Sequence, residues 1–179
     1  MSLSVVLEFT LRQGDFTLEL HEKLESKAIA LFGPSGSGKS VLLKTLSGVF
    51  THKEVDIKGA AIVRDGEENC VQLCDRTYIP ETAERPVVFY VFQDPRSYLH
   101  PRLTLREYGT LLVHRLPTVQ NVIELFANYI ADANLSHRWG TPAGYLSGGE
   151  AQRLMFAIMN VLRPRLVLAD EPLSAQDRV

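Results

Sequence analysis

Cysteine is scarce in this chain: two residues among 179, Cys70 and Cys74. Three residues separate them, and no histidine or further cysteine lies beside them to complete a tetrahedral metal site, so the pair reads as free thiols. No run of about 18 apolar residues occurs, which excludes a membrane-crossing helix. The opening "MSLSVVLEFTLRQGD" has no cationic start followed by an apolar block, which excludes a secretory leader. Neither charge sign dominates: 19 Lys and Arg face 21 Asp and Glu, for a formal charge of −2. Bulk electrostatics therefore offer nothing to nucleic acid. Internal repeats and low-complexity tracts are also missing. What is present is a chain 45% apolar, long enough for one ordinary domain with a buried core, and of cytoplasmic character.

Along the chain, Val5, Leu7, Phe9 and Leu11 alternate with polar residues, as do Phe16, Leu18 and Leu20, with Gln13-Gly14-Asp15 between the two series. That pattern predicts an antiparallel hairpin with one buried face. "KAIALF" (27–32) is a short apolar run ending at a glycine, which suits a strand buried on both faces of a parallel sheet. Leu42, Leu43, Leu46 and Val49 then recur at helical spacing. Two more apolar runs, "VVFYVF" (87–92) and "RLVLA" (165–169), end at Gln93 and at Asp170-Glu171-Pro172, and a helically patterned segment from Leu103 to Asn134 lies between them. Strands alternating with helices define an α/β plan in which the functional residues collect at the carboxyl ends of the strands.

Gly33-Pro34-Ser35-Gly36-Ser37-Gly38-Lys39-Ser40 satisfies G-x-x-x-x-G-K-[ST] between a predicted strand and a predicted helix. Such a loop turns its backbone N–H groups inward around phosphates, at a helix N-terminus whose dipole already favours an anion. Lys39 adds a full positive charge, Ser40 a hydroxyl for Mg²⁺, and Val41 continues the cradle into the helix. A bare Gly-rich turn with an incidental lysine would lack these flanks.

Asp170 and Glu171 follow the last apolar run directly, so their side chains leave the strand end in different directions. Phosphoryl transfer needs two such roles, one carboxylate for the metal and one for the attacking water. Alone, the pair would read as a solvated strand end; beside a phosphate loop the functional reading prevails. Gln93 ends the neighbouring strand, where its amide can serve Mg²⁺ or the water. A second anion site follows from Leu154, Ala157, Ile158, Val161 and Leu162, an apolar stripe that begins a helix near Gly149. Ser147-Gly148-Gly149 stands at its N-terminus. A plain Ser/Gly helix cap is the alternative. With no second lysine-bearing loop, this site would complete a nucleotide held by another subunit.

"GPSGSGKS", "VFQDP", "LSGGEAQR", "LVLADEP" and "SAQD" resemble, in order and spacing, the motifs of ATP-binding-cassette (ABC) ATPases, and the resemblance covers nearly the whole chain. It implies a P-loop NTPase (RecA-like) core with a mostly parallel sheet, an N-terminal antiparallel β subdomain and an inserted helical subdomain. The core would take residues 1–97 and 151–179, the helical subdomain 98–150. ATP and Mg²⁺ would be the cofactors, Glu171 the general base, Asp170 the Mg²⁺ carboxylate, Gln93 the Q-loop residue and 174–177 the D-loop. Two cassettes would pair head to tail, Ser147, Gly148 and Gly149 of each clamping the other's γ-phosphate, beneath transmembrane permease subunits served by a solute-binding protein. "DEPL" and "YVFQDPRSYLHPRLTLREY" resemble importers, in particular molybdate ATPases, which implies a peripheral protein on the inner face of the plasma membrane. Tyr98, Leu99, Leu103 and Leu105 would then meet the permease, unless they are the subdomain's own core.

The chain also departs from the family. Gln176 stands in the D-loop's leucine position, and Ile158 and Asn160 replace the usual Arg and Leu. Gln13 lies near the usual place of the adenine-stacking aromatic, where Phe16 is either a substitute or core. The family's switch histidine lies beyond the D-loop; all five histidines here precede Glu171, so the chain reads as a cassette incomplete at its C-terminus. Two rival functions stay open, a soluble cassette ATPase without a transporter and a nucleotide-binding module without turnover.

Overall fold

The computed structural model describes residues 3–26, 28–48, 56–65, 69–73, 86 and 88–171. The chain forms two compact units, Met1–Glu81 and Thr82–Val179. Both strands and helices are present, and the class is α/β as expected.

The first unit is built on the hairpin read from the alternating residues. Strand β1 (Leu3–Gln13) pairs antiparallel with β2 (Phe16–Glu25) around the two-residue turn Gly14-Asp15. On its other edge β1 pairs antiparallel with β3 (Asp56–Asp65), and β3 with β4 (Asn69–Leu73), so the sheet order is β2-β1-β3-β4. The register sets Val5 opposite Val63 and Leu7 opposite Ala61, and these four, with Phe9 and Leu11, are buried on one face. Such cross-strand apolar pairs stabilise the sheet and fix which face is inward. Gly59 faces Phe9 across the ladder; a Cβ there would strike the Glu8 carbonyl oxygen, and its φ of +105° suits glycine alone. Strands β3 and β4 were not foreseen, and Cys70 lies on β4, while Cys74 falls outside the described residues.

One expectation fails here. Ala28–Phe32 takes no regular structure, and Ile29, Leu31 and Phe32 are 47%, 42% and 92% exposed instead of buried. Apolarity makes a strand only when a neighbouring backbone supplies hydrogen-bond partners, and among the described residues none of the four strands of this unit pairs with the segment.

The second unit joins a short parallel sheet to a helical core. Strands β5 (Val88–Val91) and β6 (Leu166–Ala169) pair in parallel, as their apolar runs predict. Helices α2 (Leu105–Arg115), α3 (Val122–Asp132) and α4 (Gly148–Leu162) occupy the helically patterned stretches. Their core includes Leu105, Leu112, Phe126, Ile130, Leu135, Leu154 and Val161. Helices α2 and α4 each open on a capping box, Thr104 with Glu107 and Ser147 with Glu150.

Candidate functional site

The Gly-rich loop leads into helix α1 (Lys39–Leu46), whose cap residue Gly38 has φ +91°. The Lys39 ammonium reaches back across the loop and donates to the carbonyls of Gly33 at 2.7 Å and Pro34 at 2.9 Å. The chain thus encircles its own cation, with Ser35, Gly36 and Ser37 forming the outer bend and Ser40 and Val41 in the first helical turn. Leu42, Leu43 and Leu46 are buried, so the apolar spacing seen in sequence anchors the helix; Val49 lies outside the described residues.

Phe16, the first residue of β2, brings its ring against the loop. A Cβ built on Gly38 would lie 2.6 Å from the Phe16 Cζ. Phe16 is half-buried, so one side of the ring packs on the glycine backbone while part of it remains accessible. The register sets Phe16 opposite Gln13, on the same face as Leu18, Leu20 and the inward residues of β1, so the ring stands at the end of that face and beside the phosphate loop.

In the second unit the ladder between β5 and β6 sets the carboxylates. Its register pairs Tyr90 with Leu168 and Val91 with Ala169, and the Asp170 N–H continues it by donating to the Val91 carbonyl at 3.0 Å. The Tyr90 hydroxyl donates to the Asp170 carboxylate at 3.0 Å, and the Gln93 amide nitrogen donates to the Glu171 carboxylate at 3.1 Å. The two strand ends therefore bring Gln93, Asp170 and Glu171 together. Burial, reinforced by the Asp170 charge, holds the Tyr90 phenol well above its ordinary pKa, so it remains a donor across the physiological range. Glu171 itself adopts φ +47°, a left-handed backbone that side-chain-bearing residues rarely take.

Among the described residues no three His, Cys, Asp or Glu side chains cluster as a metal cage. Within the second unit, the strand ends offer the Asp170 carboxylate and the Gln93 amide oxygen. Hard oxygen donors with few carboxylates suit Mg²⁺, which keeps most of its ligands from water and phosphate.

Ser147 caps α4, its hydroxyl accepting from the Glu150 N–H at 3.3 Å while the Glu150 carboxylate accepts from the Ser147 N–H at 2.8 Å. Arg138 adds a third bond to Glu150 at 2.9 Å. The Ser147 N–H, opposed by burial and aided by Arg138, holds the Glu150 carboxyl below the usual range. Gly148 and Gly149 form the first turn of the helix. The Ser147-Gly148-Gly149 turn is thus a cap drawn tight from its own side, a role for Glu150 and Arg138 that the expected site residues do not include. Ser-x-x-Glu spacing carried that signal for Glu150; nothing local carried it for Arg138.

Of the apolar residues expected to meet a partner, Leu99 and Leu105 are buried in the helical core, which removes them from any interface. Tyr98 is exposed and stacks on Phe92 with ring centroids 3.3 Å apart. Gln176 and the rest of the 174–177 segment fall outside the described residues.

A phosphate loop at a helix start, a Gln-Asp-Glu set at the ends of two parallel strands and a capped Ser-Gly-Gly turn define an ABC-type ATP-binding protein. The profile of the ABC transporter family matches residues 15–174, and the chain belongs to that family. It is 36% identical over 167 residues to the phosphate import ATP-binding protein PstB of Tropheryma whipplei, covering 87% of this chain and 60% of that protein. Similarity to the molybdenum import ATP-binding protein ModC of Rhodobacter capsulatus is 33% over 181 residues, or 96% of this chain and 44% of the relative. The molybdate/tungstate import ATP-binding protein WtpC of Archaeoglobus fulgidus is 35% identical over 171 residues, covering 93% of this chain and 62% of WtpC. The chain thus spans roughly half the length of these curated relatives. Among the described residues no helix is long and apolar enough to cross a membrane.

Proposed function

We propose that the chain is the ATP-binding part of an importer ATPase for a tetrahedral oxyanion, molybdate by preference, acting at the inner membrane face beneath permease subunits. The observation that carries the ATP reading is the phosphate loop, with Lys39 bonded across it and the helix of Ser40 directly behind. Names of relatives support the importer reading, and they divide between molybdate or tungstate and phosphate, so oxyanion is the class they share.

The residues divide the work. The loop 33–41 binds the phosphates, and Lys39 exchanges its carbonyl partners for phosphate oxygens. Asp170, Gln93 and Ser40 would hold Mg²⁺, which when bound offsets charge on the terminal phosphates. Glu171 accepts the proton of the attacking water, and Gln93 holds the Glu171 carboxylate. Phe16, beside the loop, supplies an aromatic surface for the base. Ser147, Gly148 and Gly149 serve the nucleotide of a second copy, aligned head to tail. On this reading residues 1–97 and 151–179 form the nucleotide-binding core and 98–150 the helical subdomain.

The test pairs two variants of the full chain. Lys39→Ala should weaken binding of a fluorescent ATP analogue at least tenfold, since charge-assisted hydrogen bonds are worth about 1.5–3 kcal/mol. Glu171→Gln should keep that binding and slow phosphate release by about 10²–10⁴-fold. Unchanged affinity in the first variant would remove the phosphate-loop reading, and parental turnover in the second would move the base elsewhere.

A further inference from the structure

We propose that Tyr90 is a positioning residue for Asp170, its phenol fixing the direction in which the carboxylate is offered to the metal. The proposal rests on the reading of Asp170 as the Mg²⁺ carboxylate, and adds a residue that this reading leaves out.

Three features of the strand pair carry it. First, the parallel register sets Tyr90 beside Leu168, and Asp170 lies two residues beyond it, just past the end of β6 where its N–H continues the ladder, so it shares the face of Leu168. Two rises along a strand amount to about 6.6 Å. A tyrosine hydroxyl on the neighbouring strand reaches that far, and a phenylalanine ring stops short of the carboxylate. Second, the bond is made: the Tyr90 hydroxyl donates to Asp170 Oδ2 at 3.0 Å. Third, the ring itself is held. Phe92 meets it edge-on with centroids 4.4 Å apart, and Tyr98 in turn stacks on Phe92. Tyr90 is buried, so the hydroxyl is carried by a braced aromatic row.

The backbone bond from the Asp170 N–H to Val91 fixes the main chain but leaves χ1 of the aspartate to be set by something else. A donor on Oδ2 sets it and directs the remaining acceptor capacity of the carboxylate. Mg²⁺ demands near-ideal octahedral geometry and tolerates misdirected ligands poorly. Partners that orient a metal ligand from behind typically contribute about 10–100-fold to metal affinity.

The experiment uses Tyr90→Phe, which removes one oxygen and keeps the ring packing. Affinity for a fluorescent ATP analogue is measured with Mg²⁺ and with EDTA, and Mn²⁺ binding to the ATP-loaded protein is followed by electron paramagnetic resonance. The expected result is a drop in Mn²⁺ affinity of about 10–100-fold, with nucleotide affinity in EDTA unchanged. The same measurements on Asp170→Asn and on the double variant complete a cycle. If Tyr90 acts through Asp170, it adds no further loss in the Asp170→Asn background, whereas a general packing defect adds its full loss there. Undiminished Mn²⁺ affinity in Tyr90→Phe, with Asp170→Asn impaired, overturns the role of Tyr90 alone. Undiminished affinity in Asp170→Asn overturns the underlying assignment of the carboxylate.

Discussion

Side chains in this protein are tied to backbone groups that sequence alone does not place beside them. Phe16 and Gly38 are an instance, 22 positions apart yet in contact at the mouth of the phosphate loop. Gly38→Ala meets two obstacles, a left-handed backbone costing about 1–2 kcal/mol for an L-residue and the Phe16 ring where the methyl would go. In a Phe16→Ala background the second obstacle is gone, so the penalty should shrink toward the backbone cost. Denaturant titrations of the four proteins of that cycle measure the coupling; strict additivity would mean that the ring and the glycine do not interact. At this scale the sequence was legible where chemistry is local. The lysine, the carboxylates and the Ser-Gly-Gly turn could be named because each motif carries its own spacing. Tyr90 and Arg138 could not, since their partners lie 80 and 12 residues away and are set by strand register and helix packing.

Helix α4 shows what a terminus contributes as a unit. Its cap joins Ser147, Glu150 and Arg138, and Ser147→Ala should cost about 0.5–2 kcal/mol, read as faster hydrogen exchange in the first turn of α4. The cap also makes a pH dependence with a definite sign. Glu150 has a lowered folded pKa, so its contribution is complete above the unfolded value of about 4.3 and is lost as pH falls through the folded value. The stability gap between the parent and Glu150→Gln should therefore be constant near neutrality and close below about pH 4.3. Fluorescence of Trp139, the one tryptophan of the chain and a neighbour of Phe126, follows this unit. A gap that stayed constant through the acid range would remove the ionised carboxylate from the cap. Elements with a period and a cap were readable in advance: the β1–β2 hairpin, α4 and the helical stretch that became α2 and α3. The apolar run 28–32 predicts a strand that does not form, because an apolar run does not state its pairing partner. Strands β3 and β4 do not stand out in the sequence, β3 because Gly59 interrupts its alternation and β4 because five residues are too few to establish one.

For the molecule as a whole, the proposed head-to-tail pairing makes a second copy of the chain the partner to test. Glu171→Gln in Mg-ATP should double the mass seen by light scattering, and adding Gly149→Asp should prevent this by placing a carboxylate where the phosphate would be received. A monomer under all conditions would count against head-to-tail pairing. Stability as a global quantity is touched by one more feature, the left-handed backbone of Glu171. A domain is stable by only about 5–15 kcal/mol, and a side-chain-bearing residue in that conformation withholds about 1–2 of them. Glycine would sit there without that penalty, so Glu171→Gly should leave the unfolding midpoint unchanged or higher, while Ala169→Gly two residues earlier in β6 should lower it. The comparison separates what the backbone prefers at this position from what the proposed role of Glu171 would require, a side chain kept at a cost in stability.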